Sequence, residues 1–530
     1  MPKVIGTRVF TDYDQEWFAA VSGDCNPVHL DAVVARRTIA QFPVVHGVHA
    51  LLWALDALFE AFIPDLLKTR MQMKVSFVAP ILVNAHVYAV LIQDSNQNLR
   101  VNVTAEGITA IQITITLGTH RPVSQDMIVD EPSVIPAAPL NLTFDQMISA
   151  RGVIPIASSL DKIGRQFPAA SRVLDARRLA ALACSSFLVG MVCPGLHSIY
   201  RGLELVVTAL DDDAEHNLRF GVVHSDERFR LLRLAVSGGG WAGSLEAHAR
   251  PEPVAQADLV SLATGIRPGE FSDVSALIVG GSRGLGELAA KILASGGAHI
   301  AVTYSIGEAD ARRVQGEITA FGGRCDVLHY DVRSSALPQL NGLTTGPNQV
   351  YFMATPAISR HRVVSFTQSL FEEFLAFYVI GFYDLCNELV RRYGRGLSIF
   401  YPSSVFVDSR PQYMTEYAMA KACGEVLCAD MQDIAKLGRI LVRRLPRLRT
   451  DQTATIIGSQ LADPVDVMIP IVRELHAGQP APDGGFLSAM TQTNSTAFAE
   501  ITPDHTRHVP RTHVDDADTE RADDAAQTSP

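Results

Sequence analysis

Asp24 and His29 stand five residues apart in the string SGDCNPVHLD, a loop rich in Gly, Pro and Asn ahead of a long apolar run. Gly23 and Pro27 suit a sharply turned, fixed backbone. A carboxylate and an imidazole held on one water molecule can serve as general acid and base. Adding water to a double bond, or removing it, demands that pair. In a turn, Asp and His are more often helix caps or solvated side chains, so the surrounding string has to decide.

A second set of residues lies toward the C-terminus. The glycine-rich LIVGGSRGLGE follows the strand-like SALIVGG and opens the helical ELAAKILASGG. That context places Gly280, Ser282, Arg283, Gly284, Leu285 and Gly286 at a strand-to-helix turn. Glycines there let the backbone approach a pyrophosphate, whose charge sits at the helix N-terminus. A tight turn with no ligand is the plain alternative. An NAD binder carries an acid near the end of the next strand for the ribose 2′-hydroxyl. In GAHIAVTYS the candidate positions are Tyr304 and Ser305, with Arg283 nearby in the glycine loop. Arg and Ser accept a 2′-phosphate, which favours NADP. Asp331, after RCDVLHY, is placed for the adenine edge.

In EYAMAKA, Tyr417 and Lys421 are four apart and share one helix face. An ammonium beside a phenol favours the phenolate, so the expectation is a Tyr417 pKa below its usual value of about 10. Ser404 ends the strand-like SIFYPSS, thirteen residues before Tyr417, and could hold a carbonyl oxygen.

These residues need elements to hold them. Residues 1–125 read as one long helix (VVHGVHALLWALDALFEAF) followed by alternating, strand-like runs, an α+β unit with a sheet wrapped on a helix. Residues 126–142 carry several prolines and read as a linker. Residues 143–252 repeat the helix-then-strands pattern, a hint of internal duplication. Residues 273–490 alternate strand-like and helical runs, which predicts a parallel sheet with helices on both faces. Residues 503–530 are polar and acidic and read as a disordered tail.

The string F-A-x-x-S-G-D-x-N-P-x-H-x-D, followed by V-V-H-G, resembles the signature of MaoC-like, R-specific enoyl-CoA hydratases, over about residues 8–120. The resemblance implies a hot-dog fold with Asp24 and His29 as the catalytic pair. It further implies that Asn26 orients the loop and that His46-Gly47 lies by the substrate thioester, with a backbone N–H polarising its carbonyl. His46 is then structural, and His49, one turn on, a packed core residue. Residues 143–252 look like a second hot-dog without the catalytic string, shaping the acyl tunnel. His197, its one polar candidate, reads as a histidine satisfied at a helix end.

Glycine loop, Ser404, Tyr417 and Lys421, in that order and spacing, resemble the short-chain dehydrogenase/reductase family over residues 273–490. This implies an α/β doubly wound Rossmann-type sheet after the α+β double hot-dog. It also implies hydride transfer from NADP(H) to a carbonyl, with Tyr417 giving the proton, Ser404 polarising the carbonyl and Lys421 binding the nicotinamide ribose. The chain departs from that family's pattern at Val279, at Ala354-Thr355-Pro356-Ala357, at Tyr378 in the usual asparagine position, and at Pro446-Arg447.

A carbonyl reductase and an enoyl hydratase share the 3-hydroxyacyl thioester. The pairing resembles peroxisomal multifunctional enzymes of type 2 with the domains reversed. The expectation is a bifunctional 3-oxoacyl reductase and (R)-3-hydroxyacyl dehydratase acting on acyl-CoA or acyl-carrier-protein thioesters. A hydratase with a silent reductase half and a non-enzymatic binding scaffold are the alternatives. Both families commonly form oligomers, which implies a homodimer.

The composition agrees. Of 530 residues, 47% are hydrophobic and 19% charged, which excludes a disordered chain, a collagen or a coiled coil. Lys plus Arg number 45 and Asp plus Glu 56, a net charge of −11 that argues against nucleic acid or an anionic membrane as main partner. The basic RRLPRLR (443–449) is either a phosphate contact or an exposed strand end. Seven scattered cysteines without a CxxC pair argue against a disulfide framework or structural zinc, and with MPKVIGTRVF at the start they predict a cytoplasmic setting with no metal.

Overall fold

The structure is a computed structural model. It describes residues 2–38, 40–61, 71–95, 98–118, 135–156, 160–209, 216–358, 366–433, 438–453 and 461–478. The expected acidic tail at 503–530, and the end of the expected reductase region, lie outside the described residues.

The N-terminal strands are β1 (Lys3–Val9), β2 (Met71–Phe77), β3 (His86–Asp94), β4 (Asn98–Ala105) and β5 (Ile108–Leu117). They are followed by β6 (Arg151–Pro155), β7 (Ser198–Val207), β8 (Asn217–Asp226), β9 (Leu231–Gly238) and β10 (Trp241–Ala249). The period-two alternation is realised: β2 buries Met71, Met73, Val75 and Phe77 and turns the residues between them outward.

The ten strands form one sheet in the order β1-β3-β4-β5-β2-β7-β10-β9-β8-β6. Read outward from the antiparallel β2–β7 seam, the halves are β2-β5-β4-β3-β1 and β7-β10-β9-β8-β6. The strand order is the same in each half, so the duplicated pattern in the sequence is a duplicated fold, two hot-dogs sharing a sheet. Each half wraps a central helix, Gly47–Ala61 in the first and Pro168–Phe187 in the second. Asp56 of the first helix caps the second: its Oδ1 accepts from the Ala169 and Ala170 N–H groups at 2.8 and 3.0 Å. Leu51, Leu55, Leu58, Leu179 and Leu182 share a single core with the strands of both halves.

The C-terminal sheet consists of β11 (Ser275–Val279), β12 (His299–Tyr304), β13 (Arg324–His329), β14 (Gln349–Phe352), β15 (Leu397–Ser404) and β16 (Gly438–Leu445). All pair in parallel, in the order β13-β12-β11-β14-β15-β16. This is the doubly wound order, with a core on each face. Its packing begins earlier than the βα alternation suggests. Leu259, Leu262, Ile266 and Phe271 are buried in the same core as helix Gly284–Ser295. Among the described residues no helix is long and apolar enough to cross a membrane.

Candidate active sites

The Asp24 loop is held by caps at both ends. Thr11 and Asp14 form a capping box on helix Asp12–Ser22, and Gly23 ends that helix with φ +82°. Asn26 then caps the short helix Pro27–Leu30, its side-chain oxygen accepting from the Val28 N–H at 3.2 Å. The side-chain amide of Asn26 donates to the Gly190 and Gly195 carbonyls at 2.8 and 3.2 Å. Asn26 therefore ties the loop to the end of the second hot-dog's helix.

Asp24 is 2% exposed. Its carboxylate accepts from the Ser186 hydroxyl at 2.6 Å and the Asn26 N–H at 3.2 Å. Burial pushes its pKa above the usual carboxylate value, against the pull of His29 and these donors. His29 Nδ1 lies 2.7 Å from the Val44 carbonyl. That oxygen can only accept, so Nδ1 carries the proton and Nε2 keeps its lone pair. Burial holds His29 below its usual pKa although Asp24 opposes this.

His46 stacks on His29, ring centroids 3.8 Å apart. It presents Nδ1 to Gln15 Oε1 at 3.0 Å and Nε2 to the Asp24 carbonyl at 3.1 Å. One oxygen or nitrogen each from Asp24, His29 and His46 lies within 4.8 Å of the others, a spacing a metal could use. The His29 Nδ1–H and the single N–H of the neutral His46 ring are directed at carbonyl oxygens, which leaves each ring one lone pair. A Cβ on Gly47, the first residue of the central helix, would lie 2.9 Å from the Phe77 ring. His49 is fully buried, stacked on Phe18 at 4.9 Å, and neither ring nitrogen has a partner among the described residues. His197, expected to be satisfied, has a buried Nδ1 with no partner among the described residues; it follows the helix end and meets Arg250 through its backbone carbonyl.

In the second site, helix Gly284–Ser295 starts within the glycine loop. A Cβ on Gly280, where φ is +82°, would lie 2.8 Å from the Ala354 N, and one on Gly286 would fall on the Gly280 carbonyl. These close approaches, with Gly284 at φ +58°, fit a backbone cradle for a pyrophosphate. Ser282 is buried and Leu285 packs against the core beneath the loop. Arg283 donates to the Arg36 carbonyl of the first hot-dog at 2.8 Å. Ser305 is exposed and its carbonyl faces His329 Nε2 at 3.1 Å. Asp331 pairs with Arg333, which holds its carboxyl below the usual range.

Tyr417 and Lys421 share a face of helix Thr415–Asp433, and the Ser404 hydroxyl hydrogen-bonds Tyr417. The Ser403 hydroxyl goes to Glu425 instead. Lys421 donates to the Pro402 carbonyl at 2.7 Å and lies over the Tyr378 ring, 3.7 Å from its centroid. The expected lowering of the Tyr417 pKa is not found: burial pushes it up to about 12. Burial likewise takes Lys421 down to about 7. Tyr378 and Thr355, both departures from the reductase pattern, bond to each other at 2.5 Å.

Sequence reasoning missed Ser186, Gly190 and Gln15 in the first site. A Cβ on Gly190 would fall on the Asp24 carboxylate, so glycine is required beside it. No local signal marks these residues, because their partners are remote in the chain.

The MaoC like domain family matches residues 3–113. The uncharacterized oxidoreductase YghA of Escherichia coli (strain K12) is 24% identical over 193 residues, 34% of this chain and 66% of that protein. The uncharacterized oxidoreductase YgfF of the same strain is 30% identical over 171 residues, 29% of this chain and 68% of that protein. The chain thus spans about two thirds of these relatives' length. Among solved structures, a short chain dehydrogenase from Burkholderia cenocepacia J2315 in complex with NADP is 22% identical, covering 39% of this chain and 91% of that one, with a TM-score of 0.35. A 3-oxoacyl (acyl-carrier-protein) reductase from Agrobacterium tumefaciens C58 with NADP bound is 19% identical, covering 39% and 88%, with a TM-score of 0.34. The chain joins a MaoC-like domain to an oxidoreductase domain, and through the latter it belongs to the short-chain dehydrogenase/reductase family.

Proposed function

We propose that the chain is a two-site enzyme on acyl thioesters, an (R)-3-hydroxyacyl dehydratase/enoyl hydratase at Asp24 and His29 and an NADP-dependent 3-oxoacyl reductase at Ser404, Tyr417 and Lys421. The observation that carries it is the meeting of Asp24 and His29 in one cluster, a carboxylate oxygen and an imidazole nitrogen within 4.8 Å of each other. The two reactions are continuous: reduction of a 3-oxoacyl thioester gives the 3-hydroxyacyl compound, and loss of water from it gives the trans-2-enoyl compound.

In dehydration, His29 Nε2 takes the C2 proton, since Nδ1–H is committed to Val44. The C2–H electron pair forms the C2=C3 bond as the C3–O bond breaks. Asp24, kept protonated more readily than an ordinary carboxyl by burial, gives its proton to the departing hydroxyl, and water leaves. The Gly47 end of the central helix faces the thioester carbonyl and steadies the charge that develops there. Hydration is the reverse.

For reduction, the chemistry NADPH would supply when bound is a hydride for the carbonyl carbon. The Gly280, Ser282, Gly284, Leu285 and Gly286 turn would hold its pyrophosphate, and Arg283, Ser305 and Asp331 its adenosine end. The Tyr417 hydroxyl donates its proton to the carbonyl oxygen, Ser404 holds that oxygen, and Lys421 holds the nicotinamide ribose. The chain works as a soluble homodimer in the cytoplasm.

The test is NADPH oxidation with acetoacetyl-CoA, followed by a search for crotonyl-CoA among the products. Cofactor consumption with enoyl product supports the coupled reading. A second reading, a hydratase with a silent reductase half, is favoured by the raised Tyr417 and by Lys421 resting on Tyr378. Hydration of crotonyl-CoA without any NADPH oxidation selects it.

A further inference from the structure

Three arginines meet where the first hot-dog touches the reductase domain. Arg36 and Arg37 directly follow the short helix Ala32–Ala35, a few residues beyond His29. Arg36 donates to Asp310 Oδ2 and Arg37 to Asp310 Oδ1. Arg283 of the glycine loop donates to the Arg36 carbonyl at 2.8 Å and lies 3.5 Å from Asp451 Oδ2. The Arg36 guanidinium rests on Gly307: a Cβ there would fall inside it. Gly307 is two residues beyond Ser305, in the turn after β12 that receives the adenosine ribose in a doubly wound dinucleotide site.

The charge balance leaves room for an anion. Among the described residues, three arginines face two carboxylates, a surplus of one positive charge. Arg36 is 8% exposed, and its Nε has no partner among the described residues. A buried N–H of a guanidinium without an acceptor is costly and points to a missing one. Burial and the nearness of Arg36 and Arg37 press Arg283 down to about 10, which an added anion would relieve. Guanidinium forks match the oxygens of a phosphate monoester.

We propose that Arg36 and Arg37 of the hot-dog domain complete, with Arg283, the subsite for the 2′-phosphate of the dinucleotide, so that the hydratase domain sets the reductase domain's cofactor choice. Asp310 holds the two arginines in place. The proposal rests on the reading of residues 275–445 as a dinucleotide-binding reductase.

The test is binding, with no turnover required. Calorimetric titration of the full chain measures NADPH, NADH, 2′,5′-ADP and 5′-AMP, for the wild type and for Arg36→Gln and Arg37→Gln. The expected result is 2′,5′-ADP bound at least tenfold tighter than 5′-AMP by the wild type. NADPH affinity then falls at least tenfold in either variant, with NADH affinity within twofold of wild type. NADPH affinity unchanged in both variants, or NADPH and NADH weakened equally, overturns the proposal and leaves the reductase reading standing. A wild type that binds neither NADPH nor 2′,5′-ADP overturns both. If Arg36→Gln fails to fold, Arg37→Gln decides, because the Arg37 side chain is 28% exposed and less bound into the packing.

Discussion

The Ser186 hydroxyl donates to Asp24 Oδ2 at 2.6 Å, across 162 residues of chain. The second hot-dog, which has no catalytic string of its own, thus holds the carboxylate of the first. Donation to a carboxylate favours its charged form, while burial disfavours it. Removing the donor leaves burial less opposed. In Ser186→Ala the carboxyl step in the pH profile of kcat/KM for crotonyl-CoA hydration therefore moves to higher pH. A profile that stays in place would show that this bond does not tune Asp24.

Gly190 is the second remote support. Alanine there meets the Asp24 carboxylate, which has to swing away from His29. Overpacking of this kind costs about 1–3 kcal/mol of stability, and a misplaced acid–base group costs about 10²-fold in rate. Gly190→Ala should lose hydration by about that factor and keep NADPH binding. Asp24→Asn should lose hydration by at least about 10²-fold, again with NADPH binding unchanged. Parallel steady-state and titration measurements check both; a Gly190→Ala protein with full hydratase activity would refute the steric argument.

Much of this was legible in the sequence, for reasons that are local. The Asp24 loop is built by its own caps, Thr11, Gly23 and Asn26, and the strand-to-helix turn by its glycines. The duplication showed as pattern because each half needs one apolar helix and alternating strands to close a hot-dog. Features set by tertiary contact left no mark. Nothing near Ser186 or Gly190 announces Asp24, nothing around Arg37 announces Asp310, and residues 259–271 lack the alternation that would place them in the reductase core. The pKa of Tyr417 failed for a similar reason. Spacing puts Lys421 on the same helix face, but the depth of the pocket, set by Phe374, Phe406 and Tyr378 around the ring, outweighs the ammonium.

That depth has a consequence for the reductase. Lys421 titrates near 7, and Glu425 opposes the fall by favouring the ammonium. If the ammonium form supports reduction, kcat/KM for acetoacetyl-CoA declines as pH rises through about 7. In Glu425→Gln the ammonium loses a stabilising charge, its pKa drops further, and the declining limb moves to lower pH. Tyr417→Phe should abolish NADPH oxidation and leave crotonyl-CoA hydration intact. Reduction that persists in Tyr417→Phe would remove that residue from the chemistry.

His49 governs acid stability. It sits among Phe10, Trp17, Phe18 and Phe167, and burial, aided by Arg8 and opposed by Asp14, pushes its pKa from 6.5 to about 3. The folded chain must keep the ring neutral, whereas the unfolded chain binds a proton below pH 6.5. The stability that depends on neutral His49 is therefore fully present above that pH and is lost as pH falls toward 3. Between pH 7 and pH 5 the loss is about 2 kcal/mol, at 1.4 kcal/mol for each pH unit below the unfolded pKa. His49→Leu has no ring to protonate, and its two unpartnered nitrogens are replaced by apolar surface in an apolar cage. Urea unfolding at pH 7 and pH 5 should show the wild type losing about 2 kcal/mol more than the variant. Equal losses would mean that the ring finds a proton acceptor in the folded protein, and the aromatic cage would then not be the cause of its low pKa.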